Sequence, residues 1–138
     1  MKVLAIDPGT LKCGLAVVRR NEGSTVALHH EVVTTEDVVT CAEKLVAEFG
    51  LRSVIVGNAT QGKAILRRLR QVLPEDVSIG LVREDFTSEE ARRRYWDEHP
   101  RHGLKKLLPK SLCTPPCPYD DYAALILAEH YLHDPTGK

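Results

Sequence analysis

The chain has no net charge: nineteen Lys and Arg residues balance nineteen Asp and Glu residues over 138 positions. Without an excess of either sign there is no global field to draw in nucleic acid or an anionic membrane, so such a partner must be held by local patches. Long apolar runs are also missing. The opening MKVLAIDPG has one basic residue but too short an apolar stretch for a signal peptide. No run approaches the roughly 20 apolar residues that span a bilayer. These absences predict a cytoplasmic protein with no membrane partner. Cysteine is scarce, at four. Cys13 and Cys41 fall in a predicted strand region and a predicted helix, where a thiol acts as a small hydrophobe. Cys113 and Cys117, in LCTPPCP, follow His99 and His102, but a Cys-x-x-x-Cys pair parted by two prolines is not a zinc-knuckle spacing. Structural zinc is therefore not expected, and reduced thiols are. Internal repeats and low-complexity tracts are absent as well. What remains is a length that can bury a hydrophobic core, which predicts one globular domain over 1–138.

Local patterns divide the chain into strands and helices. Residues 2–7, 13–19 and 25–33 read as strands, with the polar RRNEG at 19–23 as a hairpin turn. A helix is predicted from Thr35 to about Phe49, with Val38, Val39, Ala42, Leu45, Val46 and Phe49 at helical spacing and Gly50 at its C-cap. SVIVG at 53–57 is a wholly apolar strand of the doubly covered kind. The helix at 61–73 turns Ile65, Leu66, Leu69, Val72 and Leu73 inward, and 77–82 is a further strand. Helices are predicted from Thr87 to about Asp97 and over 119–132, separated by an irregular Pro-, Lys- and Arg-rich stretch. Three hairpin-linked strands followed by helix–strand alternation predict a five-stranded mixed sheet flanked by helices. Its first three strands are antiparallel, its later ones parallel, and its first strand is central.

In such sheets ligands bind outside the carboxyl ends of the strands. Asp7, in AIDPGT, ends the central strand there, and Pro8 and Gly9 let the following turn lie against a ligand. Asp before Pro-Gly is also ordinary turn chemistry, so Asp7 alone decides nothing. Glu84 follows the strand at 77–82 and emerges at the same edge. Asp120 and Asp121 lie in the first turn of the last helix, where acids complement the helix dipole. Glu90 is set aside, because Thr87-x-x-Glu90 fits a capping box. The last helix, YAALILAEHYL, is apolar almost all round and so is expected to be buried, and a buried helix opening on two acids needs a reason. Three converging carboxylates repel unless a cation neutralises them. Hard oxygen donors suit Mg²⁺ or Mn²⁺, and the layout is that of two-metal phosphodiester hydrolysis.

AIDPGTLKCGLAVV, VREDFTSEEA and DDYAALILAEHYL, in that order, resemble the RNase H-like nucleases of the RuvC and YqgF groups. The resemblance runs through nearly the whole chain. It implies an RNase H-like fold and two bound Mg²⁺ or Mn²⁺ ions, held by acids on the first strand, after a later strand and at the last helix. Matched motif to motif, those acids are Asp7, Glu84 and Asp120. The final motif, an Asp two residues before Ala-Ala, selects Asp120, with Asp121 the alternative ligand. Arg83 stands where these proteins usually carry an acid and Asp85 where they usually carry Arg. VGNATQGKA is closer to the YqgF-like domain of the Tex transcription-associated proteins.

The resemblance implies a metal-dependent endonuclease acting on structured or branched nucleic acid, either Holliday junction resolvase-like or rRNA-processing-like. Local basic residues agree with a DNA or RNA partner: Lys12 by the site edge, Lys63 and Arg67 (with Arg68 and Arg70) on the helix at 61–73, Arg92 in RRRYW, and Lys105, Lys106 and Lys110 in RHGLKKLLPK. Arg-rich faces are often merely solvated, and a non-catalytic nucleic-acid-binding or scaffold domain of the same fold is the alternative function. Actin-like and sugar-kinase proteins share an Asp-x-Gly-Thr motif, but they bind nucleotide between two large lobes, and 138 residues leave no second lobe. Both a monomer and a homodimer are compatible with the chain.

Overall fold

Val3 to Ile6 form an unbroken buried run, and its alternation decides the layers. Leu4 and Ile6 join one core and Val3 and Ala5 the other, because successive strand side chains point to opposite faces. The strands are β1 (Lys2–Asp7), β2 (Lys12–Asn21), β3 (Ser24–Thr34), β4 (Ser53–Gly57) and β5 (Ser78–Val82). They form one sheet in the order β3-β2-β1-β4-β5, in a computed structural model that describes residues 1–83, 93, 97 and 120–133. β1 to β3 are antiparallel, while β4 and β5 run parallel to β1, as the sequence predicts. Asn21 pairs with Ser24, so β2 runs past the expected end at 19 and the turn is only Glu22-Gly23. Both turn residues have positive φ, the geometry that matches strand twist in a two-residue hairpin.

Two helices cover the Leu4–Ile6 face. α1 (Val38–Phe49) buries Val38, Val39, Ala42, Leu45 and Val46, and α2 (Gly62–Val72) buries Ile65 and Leu69. Val72, expected inside, is 43% exposed: it falls on the last turn, where Leu73 supplies the inward side chain instead. α1 begins three residues after the expected Thr35. The N–H of Thr35 donates to Leu11 O and its hydroxyl to Gly9 O, both at 2.9 Å, so this residue belongs to a brace and not to a helix. Cys13 is buried as expected, but Cys41 is only half-buried. Burial, then the Glu31 and Asp37 carboxylates, push the Cys41 thiol up from its ordinary range.

The other face is covered by α3 (Asp120–His133), in which every residue from Tyr122 to Ala128 is buried. Leu127 and Leu132 alone each account for about 1.5–3 kcal/mol of apolar burial. The direction of α3 is fixed at both ends. Arg20, whose N–H donates to Met1 O, gives a guanidinium hydrogen bond to Leu132 O. At the other end Tyr122 sets its ring 5.6 Å from that of His30 and tilted to it, and His30 pairs with Ala16 and through it with Ala5. α3 therefore runs antiparallel to β1 and starts at the carboxyl end of the sheet. No described helix is long and apolar enough to cross a membrane. The helix predicted from Thr87 to Asp97 and the stretch up to the last helix lie outside the described residues, apart from residues 93 and 97.

Close approach fixes α2 to β4. A Cβ on Gly62 would stand 2.3 Å from Gly57 O, which real Cβ atoms do not tolerate. Gly62→Ala is thus expected to cost about 1–3 kcal/mol by overpacking, despite alanine's better helix propensity. Urea unfolding checks it: the midpoint falls while the slope stays unchanged.

Candidate active site

Asp7 is the last residue of β1, half-buried, and shares a strand face with Val3 and Ala5. That face is the one α3 covers. Across the sheet Asp7 pairs with Gly14 of β2. On its other side Ile6 pairs with Val56, which sets Gly57 of β4 beside Asp7. Gly57 in turn pairs with Val82 of β5, whose side chain packs on the α3 core. One row at the carboxyl end thus reads Gly14, Asp7, Gly57, Val82, with glycine on both sides of the acid. In the sequence Gly14 and Gly57 do not stand out. The only signal was that each apolar run begins or stops on a glycine, and its meaning depends on register.

Asp120 opens α3 at this same end and over this same face, two residues before Tyr122. The side chains of Asp120 and Asp121 lie outside the described residues. So does Glu84, which the chain reaches from Val82 through Arg83. Among the described residues no three His, Cys, Asp or Glu side chains group as metal ligands.

The turn after Asp7 is held from behind. A Cβ on Gly9 would lie 2.2 Å from Lys12 O, so the turn closes only on glycine. Thr35 then ties it down through the two bonds to Gly9 O and Leu11 O, with Cys13 Sγ 3.5 Å from its hydroxyl. Arg68 completes the brace: Nη1 donates to Thr35 O at 3.4 Å and Nη2 to Glu36 O at 3.2 Å. Neither Thr35 nor Arg68 was legible as a support for Asp7, because they sit 28 and 61 positions away in the chain.

The basic residues separate. Lys12 opens β2 two residues before Gly14 and is exposed, beside the site edge. Lys63 and Arg67, both exposed, stand one helical turn apart on α2, and Arg70 continues their stripe. Arg70 lines a shallow hollow with Ile79 of β5, so this stripe lies toward β5. Arg68 lies on the opposite flank, toward the Thr35 turn. α2 covers the sheet face opposite α3, and its first turn, with Lys63, follows β4 at the edge that carries Asp7. Arg92, Lys105, Lys106 and Lys110 lie outside the described residues, as do Cys113, Cys117, His99 and His102.

The order β3-β2-β1-β4-β5, with an acid ending the central strand and a buried C-terminal helix over it, is the RNase H-like fold. The structure of Thermus thermophilus RuvC superposes with a TM-score of 0.59 at 20% identity, covering 100% of this chain and 99% of that one. The same protein in complex with a Holliday junction substrate gives 0.59 at 19% identity, covering 100% and 98%. The fowlpox virus Holliday junction resolvase gives 0.63 at 11% identity, covering 96% and 98%. No protein-family model matches the sequence. No curated protein matches it either.

Proposed function

We propose that the chain is a divalent-metal-dependent endonuclease that hydrolyses phosphodiester bonds in structured or branched nucleic acid, with residues 1–138 acting as one domain. One observation carries this reading: Asp7 ends the central strand on the face where α3, opening with Asp120, begins. A helix buried from Tyr122 to Ala128 that starts over a half-buried acid is a costly arrangement for unrelated capping residues. It suits a cluster built to hold a cation. The donor set fits Mg²⁺ or Mn²⁺, since carboxylate oxygens are hard ligands and the flanking Gly14 and Gly57 add no side chain to the row beside Asp7.

In this reading Asp7, Glu84 and Asp120 hold the ions, with Asp121 the alternative to Asp120. A bound divalent ion supplies charge stabilisation at the phosphoryl oxygens and a stronger nucleophile from water at neutral pH. The chain's own part is to fix the carboxylates and to position the strand. The Thr35–Arg68 brace keeps the turn after Asp7 from moving, and Lys12, Lys63, Arg67, Arg92, Lys105, Lys106 and Lys110 neutralise phosphates. A protein of the same fold bound to a Holliday junction supports a branched substrate.

The test is Mn²⁺-dependent cleavage of a panel holding a four-way junction, a structured RNA and single strands. Cleavage of the branched or structured members, abolished by chelator, is the expected result. Metal-independent binding without cleavage of any member would replace this reading with the non-catalytic scaffold.

A further inference from the structure

A cleft of about 540 Å³ opens on the far side of the turn that follows Asp7. Its walls are that turn (Thr10 to Lys12), the β3–α1 turn (Thr34 to Glu36) and Arg68 of α2. Thr35 joins all three walls: its N–H and hydroxyl bond the first, and its carbonyl accepts from Arg68. The cleft is therefore built by specific bonds and is not a gap between independent loops.

Its chemistry is mixed in a particular way. Lys12 and Arg68 supply two cations against the single carboxylate of Glu36. Two of Arg68's guanidinium donors hold the Thr35 and Glu36 carbonyls, which leaves its charge in place and further N–H groups available. At the rim Leu11 is 79% exposed, the most exposed large apolar side chain among the described residues. A free phosphate would use the cations and have no contact for Leu11. A nucleotide strand offers both, a charged backbone and an apolar sugar or base face.

Position favours a strand as well. Lys12 lines the cleft and also stands two β2 residues, about 7 Å, from Gly14, the cross-strand partner of Asp7. At roughly 3.4 Å of axial rise per nucleotide, that is about two nucleotides from the carboxylate edge. A backbone leaving Asp7 over the turn meets this cleft next.

We propose that the cleft is a strand-exit subsite for nucleic acid, in which Lys12 and Arg68 hold phosphate and Leu11 packs on a sugar or base face. It rests on the nuclease reading above and names where the substrate goes beyond the carboxylates.

The experiment is equilibrium binding of the full chain to a labelled four-way junction in Ca²⁺, across a salt series. Arg68 is left intact because it also braces Thr35. Lys12→Gln is expected to weaken binding roughly fivefold and to reduce the slope of log K against log salt by about 0.7–0.9, the value of one phosphate contact. Leu11→Ser is expected to weaken binding about threefold with the slope unchanged, since no ion is released. Glu36→Gln is expected to tighten binding, a direction that misfolding does not produce. Lys12→Gln and Glu36→Gln both matching wild type in affinity and slope overturns the subsite while leaving the nuclease reading in place. Failure of wild-type protein to bind any nucleic acid overturns both.

Discussion

Asp7→Asn is expected to lower Mn²⁺-dependent cleavage of a four-way junction by at least about a thousandfold. The substitution keeps the size of the side chain and removes one charged oxygen donor from the end of the central strand. Charge stabilisation by a bound cation supplies several kcal/mol to the transition state, and each ~1.4 kcal/mol is a decade in rate. Junction binding in Ca²⁺ is expected to survive, because the surface cations that hold the backbone are untouched. Glu84→Gln and Asp120→Asn should fail in the same way. Asp121→Asn should retain activity, which separates the two acids at the start of α3. Single-turnover cleavage at matched binding reads all four, and wild-type rates in Asp7→Asn would end the proposed mechanism.

The second large effect needs no substrate. In chelator Asp7→Asn is expected to melt higher than the wild type, and in Mn²⁺ lower. Asp7 is half-buried at the strand end, so its charge is partly desolvated. In the proposed cluster, Glu84 and Asp120 add repulsion on the order of 1 to a few kcal/mol per close pair, at an effective dielectric between those of water and protein. Removing one charge relieves that repulsion in the metal-free protein. With metal present only the intact cluster gains ligand-linked stability, which at a hundredfold excess over Kd is about 2.7 kcal/mol. If Asp7 and Asp120 merely cap a turn and a helix, the amide is neutral or destabilising in chelator and metal moves neither melt. Two thermal melts of each protein distinguish the cases, and the absence of a crossover removes the metal site.

Much of the frame was legible because its signals are local. Alternating or wholly apolar runs bounded by turn residues identified β1 to β5 within two residues of their observed ends, and Gly50 closed α1 where expected. The helix–strand alternation after β3 required parallel crossovers, which put β4 beside β1 and left Asp7 at the carboxyl end of the central strand. Two departures from the expected elements have specific causes, one distant in the chain and one local. Thr35 looks like a helix N-cap in sequence, but its hydroxyl and N–H are taken by carbonyls of a turn that precedes it by more than twenty residues. Val72 continued the helical spacing of Ile65 and Leu69 on a turn where Leu73 fills the inner position.

The sequence by itself determined the strands, the central place of β1, its acid end and the burial of the last helix, since periodicity and turn chemistry act over a few residues. Tertiary structure alone decided which helix shares a face with Asp7. Period-two alternation sends Asp7 and Ile6 to opposite sides but does not say which side α3 covers. The apolar-all-round sequence of α3 carries no facial information either. Its direction came from contacts distant in sequence, Arg20 with Leu132 and His30 with Tyr122, which bring Asp120 to the Asp7 end. The separation of Arg68 from the Lys63–Arg67 stripe was decided in the same way. Rotation about α2 places them on different flanks, and only the position of the Thr35 turn shows which flank supports the carboxylate edge.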